Sequence, residues 1–125
     1  MRDKTIAIYE RYDGVRFVLE RSLSCYQDDV NIISSYQKTE IKHLIKENHV
    51  DLLITELSKN KPDGLEISHY ARKVSPNLQI IWITVLGCDI FRSERERIGE
   101  VLCVEKPLEI NEFRRTVLNI LSNTK

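Results

Sequence analysis

The sequence predicts an α/β protein built on a doubly wound five-stranded parallel sheet with helices on both faces. Three observations carry this. Short, nearly continuous apolar runs such as Leu52-Leu53-Ile54 with Leu57 are too unbroken for a half-exposed strand and too short for a buried helix, so they read as strands covered on both faces. Between the runs, apolar residues recur at helical spacing, and strands alternating with helices build a parallel sheet. Several runs also end on a charged or hydroxyl residue, namely Glu10, Glu56, Thr84 and Lys106. In open α/β sheets functional groups gather at the carboxyl ends of the strands.

Taken in order, Lys4 to Tyr9 forms the first strand, with Ile6, Ala7, Ile8 and Tyr9 in succession. Val15, Val18, Leu19 and Leu23 then line a first helix, with Asp13 placed to cap its first turn. Val30 to Ser34 is a second strand, and Ile41, Leu44 and Ile45 mark one face of a second helix ending near Glu47. The central strand follows. A helix from about Gly64 to Val74 is expected to be capped by Asp63 and stopped by Ser75-Pro76-Asn77. Leu78 to Val85 is the fourth strand, 86–92 a loop, and Ser93 to Glu100 a short, weakly anchored helix with Ile98 as its apolar residue. Val101 to Val104 is the fifth strand, and Phe113, Val117, Leu118 and Leu121 face inward from a terminal helix starting near Glu109.

A chain of 125 residues suits one domain, 1–125, with a single core. Lysine plus arginine and aspartate plus glutamate are equal at 19 each, so no net charge draws this domain toward nucleic acid or an anionic membrane. A charged start leading directly into a strand, and the lack of any apolar run near the ~20 residues that span a bilayer, point to a cytoplasmic protein without a membrane segment. Cys25, Cys88 and Cys103 are odd in number and share no CxxC spacing, which argues for reduced thiols rather than a disulfide framework or zinc site.

Right-handed crossovers bring Glu10, Arg11, Glu56, Thr84 and Lys106 to one sheet edge. At these residues the chain resembles, over essentially its whole length, the CheY-like receiver domain of bacterial two-component response regulators. The resemblance rests on the acidic residue after strand one, a carboxylate ending strand three with Asp63-Gly64 shortly after, Ile83-Thr84 ending strand four, and Glu105-Lys106-Pro107 after strand five. It implies a flavodoxin-type fold. It also implies that an aspartate takes a phosphoryl group from a histidine kinase, that two acidic residues and that aspartate hold Mg²⁺, and that a Thr/Ser and a Lys contact the phosphoryl oxygens. Phosphoryl transfer is mostly positioning and charge neutralisation, so the metal is central to it.

The sequence departs from this pattern where the chemistry is most sensitive. Glu56 stands at the phosphoacceptor position and Arg11 at the second acidic position; Glu10, Thr84 and Lys106 match in kind. An arginine is always charged and can hold carboxylates through two hydrogen bonds, so Arg11 is expected to bridge Glu10 and Glu56 in place of the metal. No cofactor is expected, with Mg²⁺ binding weak or absent; Glu10 and Glu56 would be its ligands if it bound. Glu56 either imitates the phosphorylated state or pairs with Arg11 in a decayed site. Val85, where the family carries a small residue, should narrow access, and Cys103 replaces the family's rotating aromatic on strand five.

The expected protein is therefore an atypical, non-enzymatic receiver that signals by protein contact without phosphorylation. By resemblance, its working face would be helix four, strand five and helix five, with Arg95, Arg97, Glu105, Arg114 and Arg115. A protein partner, or a weak homodimer through this face, is expected. Two alternatives are a receiver in a phosphorelay through another residue, for which Asp51 and Asp63 are poorly placed, and a flavodoxin-like binder, for which Glu10-Arg11-Tyr12-Asp13 supplies too few free amides. His43, His49 and His69 lack a metal-site spacing, the run from Arg92 to Arg97 reads as a solvated helix face, and Trp82 reads as core.

Overall fold

The computed structural model describes residues 4–24 and 30–123. Strands β1 (Lys4–Tyr9), β2 (Val30–Ser35), β3 (Leu52–Leu57), β4 (Gln79–Thr84) and β5 (Leu102–Glu105) alternate with helices α1 (Asp13–Ser24), α2 (Lys38–Lys46), α3 (Asp63–Val74), α4 (Arg92–Ile98) and α5 (Ile110–Asn123). The strands pair in parallel in the order β2-β1-β3-β4-β5, the expected doubly wound sheet. The chain first moves outward from β1 to β2 and then returns past it to β3, so the helices divide between the two faces.

That division makes two cores. On one face Ala7, Leu53, Leu57 and Trp82 pack with Ile41, Ile45, Ile67 and Ile98; on the other Ile6, Ile8, Leu52, Ile54 and Ile81 pack with Leu19, Leu23, Phe113 and Val117. The strand period of two sends neighbouring residues to opposite layers. β3 is buried at every position because it lies between β1 and β4 under both layers. Each fully buried Leu or Ile contributes about 1.5–3 kcal/mol, and β3 supplies four of them, Leu52, Leu53, Ile54 and Leu57. Trp82 is fully buried, donates from Nε1 to Ser68 Oγ at 2.9 Å, and meets Phe91 edge-on at 6.3 Å.

Four local expectations are corrected. Segment 86–92 is not all loop: Cys88–Phe91 forms a 3-10 turn, because Phe91 folds inward to 5% exposure against Trp82. The following helix is better anchored than its composition suggests. Arg72 of α3 donates to the carbonyls of Ile98 and Glu100, Arg95 donates to that of Val101, and Gly99, at φ 97°, ends α4, a left-handed conformation that glycine adopts without a Cβ penalty. Val18 is 46% exposed, leaving Leu19 and Leu23 as the buried residues of α1. Asp63 makes no cap; it accepts a hydrogen bond from Tyr9 Oη at 2.9 Å and lies 3.7 Å from Lys38 Nζ.

The cysteine reading is corrected as well. Cys88 and Cys103 are joined by a disulfide, with Cα atoms 6.1 Å apart. A 3-10 turn folds Cys88 back beside β5, a proximity that the 15-residue separation does not reveal. Cys25 lies outside the described residues. Among the described residues no helix is long and apolar enough to cross a membrane.

Candidate functional site

The carboxyl ends of β1, β3, β4 and β5 meet at one sheet edge, and each delivers a polar side chain. Glu10 follows β1 directly, and its backbone is held by Ser35 on one side and by Arg16 Nη1, which donates to the Glu10 carbonyl at 2.7 Å. Glu56 is the penultimate residue of β3. The start of α3 lies against it so closely that a Cβ on Gly64 would collide with the Glu56 carbonyl and crowd Leu57. Glycine is therefore required at 64 to seat the helix. Thr84 ends β4, and its carbonyl accepts the amide of Lys106 at 2.7 Å, which brings the residue after β5 back over the site.

Four charges gather there as two pairs. Lys106 Nζ lies 2.6 Å from Glu10 Oε1, and Arg11 Nε lies 3.6 Å from Glu56 Oε1. Lys106 Nζ is also 3.8 Å from Glu56 Oε2, so the Glu56 carboxylate stands between both cations. Arg11 does not bridge the two carboxylates. Its Nη2 donates to Ser58 Oγ at 3.4 Å, and its guanidinium stacks 5.0 Å from the Tyr12 ring. Turned toward Ser58 and Tyr12, it leaves Glu10 to Lys106.

The burial is deep. Glu10 is 1% and Glu56 6% exposed, and Thr84 is fully covered. Glu10 Oε2 finds no hydrogen-bond donor among the described residues. Burial accordingly pushes the Glu10 carboxyl above the usual carboxylate range; the hydrogen bond and charge of Lys106 oppose this, while the negative Glu56 adds to it. Tyr9 is likewise shifted up, first by burial and then by its bond to the Asp63 carboxylate. The Thr84 hydroxyl accepts the Leu86 amide at 3.0 Å, a bond that turns the chain out of β4.

A cavity of about 230 Å³ opens above these residues, lined by Arg11, Tyr12, Glu56, Ser58, Val85 and Leu86 among others. Val85 is 69% exposed and is one of the residues lining this cavity. The residues present do not fit a divalent cation. Two carboxylates already face two fixed cations, and among the described residues no three His, Cys, Asp or Glu side chains are grouped to hold a metal. A magnesium ion would have to displace a guanidinium or an ammonium from its carboxylate.

The other residues singled out from the sequence lie outside this group of four charges. On α4, Arg95 is turned onto the Val101 carbonyl, and Arg97 sits 3.8 Å from Glu94, which also meets His69 at 3.2 Å. Glu105 accepts the Cys88 amide at 3.3 Å. Arg115 is exposed on α5 and Arg114 half-buried. Cys103 is half-buried and bonded to Cys88. The sequence reading missed Tyr12 and Ser58, which orient Arg11, and Tyr12 also lies 5.7 Å from Lys106 Nζ. An aromatic beside Arg11, in the loop leaving a strand end, was the available signal.

No protein-family model matches the chain. Among curated relatives, it is 26% identical over 110 residues to Sensor protein EvgS of Escherichia coli (strain K12), covering 88% of this chain but about 9% of EvgS. It is 21% identical over 121 residues to Sporulation initiation phosphotransferase F of Bacillus subtilis (strain 168), covering 97% of this chain and 95% of that protein. Among solved structures, the signal receiver domain of a DNA binding response regulator protein (merR) from Colwellia psychrerythraea 34H matches with a TM-score of 0.83 at 21% identity over 97% of this chain and 100% of that one. The signal receiver domain of an HD domain-containing protein from Pseudomonas fluorescens Pf-5 matches at 0.84 with 18% identity, over 97% and 96% of the two chains. Chemotaxis protein CheY4 of Vibrio cholerae matches at 0.79 with 14% identity, over 96% and 99%. The chain thus has the fold of response-regulator receiver domains.

Proposed function

We propose that this chain is an atypical receiver domain of two-component signalling, with Glu56 at the phosphoacceptor position, acting through protein contact rather than phosphoryl transfer. The observation that carries the reading is the placement of Arg11 Nε 3.6 Å from Glu56 Oε1 with Lys106 Nζ 3.8 Å from Oε2. A cation fixed on each side of Glu56 supplies the neutralisation that a metal provides in phosphoryl transfer, and it leaves Mg²⁺ little to bind. Between imitation of the phosphorylated state and decay, the site supports imitation, since the Glu56 carboxylate reaches the lysine that the resemblance assigns to the phosphoryl oxygens. The domain is then a cytoplasmic, non-enzymatic signalling module without a cofactor, working on a protein partner.

Relay through another residue is less well supported. Asp51 is 5% exposed, lies before the start of β3 and accepts the Thr5 amide at 2.8 Å, and Asp63 is engaged by Tyr9 and Lys38. The test is incubation with acetyl phosphate and Mg²⁺, read by intact mass. The expected result is no stoichiometric gain of one phosphate. A gain on the peptide holding Glu56 overturns the proposal, and a gain on any other residue moves the assignment to a phosphorelay.

A further inference from the structure

We propose that Cys88 and Cys103 form a reversible redox site, a dithiol–disulfide pair whose oxidised form fastens the turn between β4 and α4 to β5. The two Cα atoms stand 6.1 Å apart, inside the span a disulfide bridges. Cys88 opens the 3-10 turn, and Cys103 lies within β5 opposite Trp82. Both are half-buried and line an open cavity of about 470 Å³ with Glu105, Glu109, Glu112 and Phe113. A small thiol can therefore reach the pair without unfolding the sheet. Carboxylates around the cavity favour an uncharged or cationic exchange partner over an anionic one.

The bond sits on the outer side of a turn whose inner side is held by Phe91 and Leu86. Between Thr84 and Phe91, Val85 and Ile90 are 69% and 54% exposed, the Ile90 amide bonds only within the turn, to Gly87, and the Cys88 amide reaches β5 through one exposed bond to Glu105 at 3.3 Å. Among the described residues, opening the disulfide leaves that one hydrogen bond between Cys88 and β5. This turn leads from Thr84 to α4, so the bond's state sets how firmly the face of α4 and β5 is ordered. The redox step rests only on the cysteine pair, whereas its consequence for a partner-binding face rests on the function proposed above.

The exchange balances as follows. One protein thiolate attacks a low-molecular-weight disulfide RS–SR, breaking its S–S bond, expelling RS⁻ and forming a mixed disulfide; the second protein thiolate attacks that mixed disulfide and expels the other RS⁻. The protein dithiol loses two electrons, the small disulfide gains them, and the two thiol protons end on the released thiols. Excess small thiol reverses both steps. In a reducing compartment a pair of this kind is a transient, sensing disulfide rather than a permanent brace.

The experiment uses the full chain with Cys25→Ser, which removes competing pairings. It is equilibrated over a series of ratios of 2-mercaptoethanol to hydroxyethyl disulfide, trapped by alkylation and peptide-mapped. The expected result is a linked Cys88–Cys103 peptide that forms and disappears reversibly with the ratio. Amide exchange of residues 85–98 should rise by roughly tenfold on reduction while β1 and β3 stay unchanged. Cys88→Ser in the same background should show the reduced-state exchange at every ratio. No linked peptide at any ratio, or equal exchange of 85–98 in both states, overturns the proposal. Phosphorylation of the chain would sink the function proposed above and leave this result untouched.

Discussion

Lys106 Nζ lies 2.6 Å from Glu10 Oε1, with the two side chains 11% and 2% exposed. This short pair joins the residue after β5 to the residue after β1, across the carboxyl edge of the sheet. It also leaves Arg11 as the nearer cation for Glu56. A buried charge left without its partner is costly, so the Lys106–Glu10 pair can be weighed by mutation.

Lys106→Met should destabilise the protein by about 3 kcal/mol, because Glu10 has no second cation among the described residues while Glu56 retains Arg11. Glu10→Gln combined with Lys106→Met should lose clearly less than the sum of the single changes. Urea unfolding of the four proteins gives the comparison. Strict additivity would show that the two side chains do not stabilise each other.

The pH dependence follows from Glu10. Its folded carboxyl titrates above the ordinary value of 4.5, so in the window between 4.5 and that raised value the folded protein holds a proton that the unfolded chain has released. Stability contributed by this group therefore increases as pH falls through the window and is lost as pH rises through it. The difference in melting temperature between wild type and Glu10→Gln, followed from pH 7 downward, should move in the wild type's favour. A difference that moves the other way would mean that Lys106 outweighs burial.

Wild type should show no change in melting temperature with Mg²⁺, since both carboxylates already face cations. Arg11→Asp with Glu56→Asp replaces a guanidinium by a carboxylate and withdraws the other by one methylene, and this pair should gain a Mg²⁺-dependent rise. Glu56→Asp alone should not. A rise in the single variant would show that side-chain length, rather than the charge of Arg11, excludes the metal.

Ser68→Ala removes the acceptor of the buried Trp82 Nε1–H at 2.9 Å. Leaving that donor unpaired should cost about 1–3 kcal/mol. Trp82 is the one tryptophan of the chain, so its fluorescence reports unfolding and its environment together. Unchanged stability would mean that another acceptor replaces the serine.

Association through α4, β5 and α5 should be weak and should fade with salt. Exposed pairs contribute only about 0–1 kcal/mol each, and the apolar surface nearby comprises single residues such as Leu102, 40% exposed. Sedimentation at low and high ionic strength, repeated on Arg115→Glu, tests this. A tight dimer indifferent to both would place the interface elsewhere.

Much of this protein was settled by sequence alone. The unbroken apolar runs of β1, β3 and β4 and the helical spacing between them determined an alternating parallel sheet, and connection rules then brought Glu10, Glu56, Thr84 and Lys106 to one edge. These are local periods plus topology, and both can be read along a chain. Which charge meets which was decided only in three dimensions. Arg11 turns to Glu56, Ser58 and Tyr12 instead of spanning to Glu10, because partner choice depends on ångström-scale directions that no spacing encodes. Asp63 went to the Tyr9 hydroxyl and Lys38 rather than to a cap, since the start of α3 is pressed against β3 at Gly64. The Cys88–Cys103 bond exists because a buried Phe91 folds the turn back toward β5, and covalent pairing of distant thiols follows from how the chain is folded, not from how its residues are counted.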